Sequence, residues 1–176
     1  MTTTLLENNN HHTAPSDFKS LRRRKRVYHL MTRNVLCLKY TDRLDLLDAA
    51  PDWRKFRHLP VIDDDGVLKG MVCHRDLMND FASSLASPPD ERRHSDLQNV
   101  AVRDVMIWNV LTTSESESLE EAAKKMFENR CGALPVVDWD NKLVGLITEA
   151  DFAKVFYLGE ECLTQTPPSR PLATAI

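Results

Sequence analysis

The sequence predicts an α+β fold built from two copies of one β-α-β-β-α unit, packed with pseudo-twofold symmetry. Three observations predict it. The stretch "LPVIDDDGVLKGMVCHRDL" (Leu59–Leu77) is restated as "LPVVDWDNKLVGLITEADF" (Leu134–Phe152) without a gap, since 134 − 59, 145 − 70 and 151 − 76 all equal 75. Upstream, "LMTRNVL" (Leu30–Leu36) lies over "VMIWNVL" (Val105–Leu111) at the same offset. Such self-similarity marks one supersecondary unit per copy. Each copy also holds two short apolar β runs divided by turn residues, beside a segment with helical apolar spacing.

The second copy is the cleaner one. "NVLTT" (Asn109–Thr113) is short and β-rich. In "SESESLEEAAKKMFENR" the residues Leu119, Ala122, Ala123 and Met126 recur at helical spacing, with acids in the first turn and bases later, the order that suits the helix dipole. Ser118 with Glu121 makes a capping box, with Ser116 as a rival N-cap, and Gly132 is expected to stop the helix. "LPVVD" and "KLVGLIT" form a hairpin over Asp140-Asn141. A last helix starts near Thr148 and carries Phe152, Val155 and Phe156 on one face. The first copy follows, with "DDDG" at its turn. Its first helix carries Pro51 where the second has Met126, and an interior proline costs ~3 kcal/mol, so a break at Ala50 is expected. Pro88-Pro89 ends the helix that begins near Arg75. The expected layout is a mobile tail over 1–20, units over 21–86 and 100–158, a linker over 87–99, and a mobile tail over 159–176. A small sheet with helices on one side needs a second layer on its other face, and the sister copy supplies it around a shared core.

Composition narrows the class. At 176 residues and 42% hydrophobic, the chain is ordinary globular material. It has no apolar run long enough for a membrane span and no signal peptide, and its four cysteines show neither zinc nor disulfide-scaffold spacing, so a reducing cytoplasm is expected. Residues 1–90 hold 14 Lys/Arg against 12 Asp/Glu, and the remainder 9 against 14, so the first copy is the one suited to anions. The run "RRRKR" (Arg22–Arg26) fits either a solvated segment or an acidic partner. Without aromatic interleaving for base stacking, nucleic acid is not expected.

The repeated "LPVVD", turn, apolar strand ending in Gly-apolar-apolar-Thr, and Asp three residues on, preceded by "VRDVM" and "SLEEAAKKM", resembles the cystathionine β-synthase (CBS) domain. Two in tandem, over about Val27 to Phe156, resemble a CBS pair, or Bateman module. The resemblance implies a non-enzymatic regulatory module that binds an adenosine-containing ligand in the cleft between its copies and signals to a partner protein in trans. It implies no required cofactor. AMP, ADP, ATP or S-adenosylmethionine would be the regulatory ligand.

It also implies site residues. Thr148 would meet phosphate and Asp151 ribose; a strand ends there and a helix N-terminus offers N–H groups. Thr148-x-x-Asp151 is equally the spacing of a helix cap, and the paired-repeat context favours the ligand reading. By position, Leu36 and Phe56 would form the facing base pocket, with Arg57 and His58 on the phosphate; exposure at a strand entrance is the alternative for those two. A weaker second site would hold Cys73, His74 and Asp76 opposite Leu111, Cys131 and Ala133, because Cys73 replaces the hydroxyl and is a poor donor.

Three function classes compete. The first is a nucleotide-sensing module and the second a ligand-independent dimerisation or interaction module of the same fold. The third, an enzyme, lacks support: no Ser/His/Asp arrangement, P-loop or metal-spaced ligands are seen, and no metal site is expected. A homodimer is expected, through helix faces carrying Phe81 and Leu85, or Phe152, Val155 and Phe156.

Overall fold

The computed structural model describes residues 25–44, 57–73, 100–158, Leu163 and the backbone of 174–175. Phe56, His74, Asp76, Phe81, Leu85, the break expected at Pro51 and the end expected at Pro88-Pro89 lie outside the described residues. A 3-10 turn at Val27–His29 leads into β1 (Leu36–Lys39), β2 (His58–Ile62) and β3 (Leu68–Cys73). Then come a short helix α1 (Val102–Val105), β4 (Ile107–Trp108), α2 (Leu119–Asn129), β5 (Ala133–Val137), β6 (Leu143–Thr148), α3 (Glu149–Leu158) and β7 (Thr174–Ala175). They form a five-stranded sheet in the order β4-β3-β2-β1-β7 and a two-stranded sheet β5-β6.

The hairpins are equivalent residue by residue. β2 pairs antiparallel with β3 as Leu59↔Val72 and Val61↔Gly70; β5 pairs with β6 as Leu134↔Ile147 and Val136↔Gly145. Both turns are tied by an aspartate side chain that accepts from the backbone: Asp63 from Asp65 and Val67, and Asp138 from Asp140 and Lys142. Both need a left-handed residue, which Gly66 supplies at φ 80° and Asn141 at φ 58°.

The copies exchange their leading segments. β4 belongs to the second copy by sequence, yet it pairs with β3 of the first, as Gly70↔Trp108 and Met71↔Ile107. Its equivalent, Thr32, bridges Leu146 of the second copy, with N–H···O distances of 2.8 and 2.9 Å. The side chains follow the backbone. Val27, Leu30 and Met31 pack with Leu119, Ala122, Met126, Leu134 and Ile147, while Val102 and Met106 pack with Leu38, Leu59, Val61 and Val72. A third cluster (Val35, Cys37, Ile62, Leu68 and Leu143) fills the space between the hairpins. Close approach at the crossings explains two glycines. A Cβ on Gly145 would lie 2.7 Å from Met31 Sδ and 3.0 Å from the Thr32 carbonyl oxygen, and one on Gly70 would collide with the Ile107 carbonyl oxygen.

Several expectations are corrected. α2 ends at Asn129, and Arg130 takes the left-handed position at φ 52°, so Gly132 does not make the stop. The stretch 109–113 is not a strand; only Thr113 bridges Val136, in parallel. Its equivalent β1 is a strand flanked on both edges, by β2 and by β7. Within the range expected as a C-terminal tail, the described residues are Leu163, which is buried in the second copy's core, and Thr174–Ala175, which pair with β1. On α3, Phe152 and Val155 pack against that core, so the exposed apolar residues are Phe156, Tyr157 and Leu158.

The Ser118 capping box forms as the spacing predicts, with Ser118 Oγ accepting from the Glu121 N–H at 3.1 Å. The repeats also differ in one pair of equivalent contacts. Tyr40 and Trp108 pack edge to face with ring centroids 5.9 Å apart. The matching positions hold Glu115 and Arg33 in a 2.9 Å ion pair. Arg33 Nε and Nη2 are buried there without a hydrogen-bond partner among the described residues.

Candidate ligand cleft

A cleft of about 850 Å3 opens between the copies. Its apolar wall is the second copy's leading segment, with Ile107, Val110 and Leu111, and Met71 behind. Cys73 ends β3 on its floor, beside its cross-strand neighbour His58. The opposite wall is the turn that leaves α2: Arg130, Cys131, Gly132 and Ala133. Each group is placed by a local cause. The left-handed cap turns Arg130 off the helix, and β5 then starts at Ala133, buried opposite Thr148.

The ionisable side chains other than the thiols are Arg57, His58, Arg130 and Glu149. Arg57 stands at the entrance to β2 and is exposed, His58 is half-buried, and Glu149 starts α3 with its N–H donated to the Gly132 carbonyl at 3.0 Å. A methyl group on Gly132 would lie 3.5 Å from both the Glu149 carboxylate and the His58 ring, so these two side chains converge on that backbone. The cleft therefore joins an apolar wall to two guanidiniums, an imidazole and one carboxylate. Burial, with Glu149 nearby, pushes the Cys131 thiol above its ordinary value, so it stays protonated at neutral pH. Among the described residues there is no cluster of three metal-ligating side chains and no helix long and apolar enough to cross a membrane.

Leu111, Cys131, Ala133 and Cys73, the described members of the weaker expected site, line this open cleft together. Arg57 and His58 were expected on phosphate opposite Leu36; they stand on this cleft's wall. Arg130 and Glu149 were missed. The turn chemistry after α2 could have flagged Arg130, but nothing local in the sequence points Glu149 inward. Thr148 and Asp151 sit elsewhere, at the start of α3. There the Thr148 N–H and hydroxyl both donate to Asp151 Oδ2, at 2.9 and 2.8 Å, and Lys154 Nζ donates to Oδ1 at 3.1 Å. Asp151 is 4% exposed. Its geometry is that of a cap: an acid in the first turn reaching back to the residue before the helix.

The comparisons agree with the architecture. The CBS domain family model matches twice, over residues 27–83 and 102–157. A CBS domain-containing protein of Dictyostelium discoideum is 31% identical over 125 residues, covering 71% of this chain and 86% of that protein. A homoserine O-acetyltransferase of Methanosphaera stadtmanae is 30% identical over 154 residues, covering 86% of this chain but only 28% of the enzyme. The chain thus spans about a quarter of that relative's length. Among solved structures, CBSX2 in complex with AMP superposes with a TM-score of 0.62 at 29% identity, covering 76% of this chain and 97% of that one. CBSX2 from Arabidopsis thaliana also superposes at 0.62, with 28% identity and coverage of 78% and 97%. With two matched repeats, crossed leading segments and a cleft between them, this chain belongs to the CBS domain family, as a tandem pair.

Proposed function

We propose that this chain is a regulatory, non-enzymatic module that binds an adenosine-containing ligand in the open cleft and signals its occupancy to a partner protein in trans. The observation that carries this is the cleft's division of labour. Ile107, Val110 and Leu111 offer an apolar wall for a base, while Arg57 and Arg130 offer cationic donors, and His58 a ring nitrogen, for phosphate. The likeness to CBSX2, crystallised with AMP, supports the choice of ligand. Glu149 on the same wall disfavours extra negative charge, so AMP is expected to bind more tightly than ADP or ATP. S-adenosylmethionine, whose sulfonium would suit Glu149, completes the panel.

Calorimetry with these four ligands tests the proposal. AMP should bind, and Arg57→Ala should weaken it about ten- to a hundred-fold, the loss of one charge-assisted contact of ~1.5–3 kcal/mol. If none of the four binds at millimolar concentration, the sensing reading fails and a ligand-independent interaction module takes its place. The exposed Phe156 and Tyr157, at 82% and 87%, favour a self-association surface in either case.

A further inference from the structure

We propose that the chain's own C-terminal strand closes the second, symmetry-related cleft, so that one chain offers one adenosine site and not two. The inference rests on the ligand reading above and concerns which of two equivalent places is open. By the offset of 75, Thr32, Val35 and Leu36 are the equivalents of Ile107, Val110 and Leu111, which line the open cleft. The two walls differ in what covers their backbone. β7 lies parallel to β1, with Leu36 opposite Thr174 and Cys37 opposite Ala175, so the outer edge of the Leu36 wall is already hydrogen-bonded. At Leu111, among the described residues, no strand takes that edge. Leu111 is accordingly 39% exposed, whereas Leu36 is half-buried.

The acid on that side is also engaged. Asp151 uses Oδ2 on Thr148 and Oδ1 on Lys154, leaving it little capacity to receive a ribose. The strand is held close by a short tether. Leu163 is anchored in the second copy's core at 3% exposure, and Thr174 follows it by 174 − 163 = 11 residues, which span at most about 40 Å. Because so short a strand makes few hydrogen bonds, it is displaceable, and anything that draws the C-terminus away would expose the second site.

The test uses the full chain with Thr174→Pro and Ala175→Pro together, which remove the N–H groups a ladder needs. Calorimetry with AMP should give one ligand per wild-type chain and two per proline variant. Adding Leu36→Trp to the proline variant should return it to one. Hydrogen exchange supplies a readout that needs no ligand: the Cys37 amide, which faces β7, should lose protection in the proline variant, while those of Leu36 and Leu38, on the β2 side, keep theirs. Two ligands on the wild type, or one on both proteins, overturns the inference and leaves the ligand reading standing. No AMP on either protein overturns both.

Discussion

Val67 and Lys142 form one antiparallel bridge, and since 142 − 67 = 75, each is the other's repeat equivalent. A residue can pair with its own equivalent only on the symmetry axis. Around that point the hydrogen bonds come in exchanged pairs: Leu68 N–H to Asn141 carbonyl at 2.9 Å and Leu143 N–H to Gly66 carbonyl at 3.0 Å. Farther out, Arg26↔Ser118 and Arg43↔Ala101 exchange in the same way. The two copies are thus stitched along the axis by backbone.

The crossings should be the most sensitive points in the fold. Gly145→Ala puts a methyl group against Met31 Sδ, which can move, and against the Thr32 carbonyl, which cannot move far. The expected cost is ~1–3 kcal/mol, with Gly70→Ala at least as damaging because its obstacle is backbone. Denaturant midpoints measured at constant slope would check the ranking.

Asp151→Ala should lower stability by ~0.5–2 kcal/mol, as loss of a helix cap does, and leave AMP affinity within twofold of wild type. A ribose-binding Asp151 would instead cost about ten-fold or more in affinity. Melting temperature and calorimetry on the one variant separate the two roles.

Acid should weaken the second copy through Ser118 and Glu121. The Ser118 hydroxyl and N–H donate to Glu121 and hold its carboxyl below its ordinary value of 4.5. A depressed folded pKa gives stability that is present above pH 4.5 and lost as the pH falls through the folded value. Glu121→Gln should therefore reduce stability at pH 7 and flatten its fall below pH 4.5, seen by urea unfolding across that range.

Replacing the Arg33–Glu115 pair by its repeat equivalent should help. Arg33→Trp with Glu115→Tyr copies the Trp108–Tyr40 contact and removes two buried donors that lack partners among the described residues. Each such donor costs ~1–3 kcal/mol, so a gain of about 1–3 kcal/mol is expected, while Glu115→Ala alone should be destabilising. Thermal unfolding of the single and double variants decides it.

Thiol reactivity should report the cleft. Burial pushes Cys37 up to about 11, so it should not react with a disulfide reagent at pH 8 until the protein unfolds. Cys73 and Cys131 line the cleft and should react slowly, and AMP should slow both further. Unchanged rates at Cys73 and Cys131 with saturating AMP would argue against binding at this site.

Sedimentation addresses the exposed end of α3. A dimer at tens of micromolar should be lost in Phe156→Lys with Tyr157→Lys, taking micromolar dissociation as the rough scale for such contacts. A wild-type protein that sediments only at 20.1 kDa would remove the self-association reading.

By itself the sequence determined the repeat, its register, both hairpins with their left-handed turn residues, the Ser118 cap and the start of the last helix. These depend on local periodicity and turn chemistry, which act within a few residues of the chain. Only the tertiary structure decided that the leading segments cross, that Arg130 and Glu149 face the cleft beside Arg57 and His58, and that Asp151 turns to its own helix. The offset pairs equivalent residues without saying which copy's hairpin each segment joins. That choice is made by long-range strand pairing and by the fit of Met31 and Met106 over Gly145 and Gly70, where only a residue without a side chain lets the backbones meet.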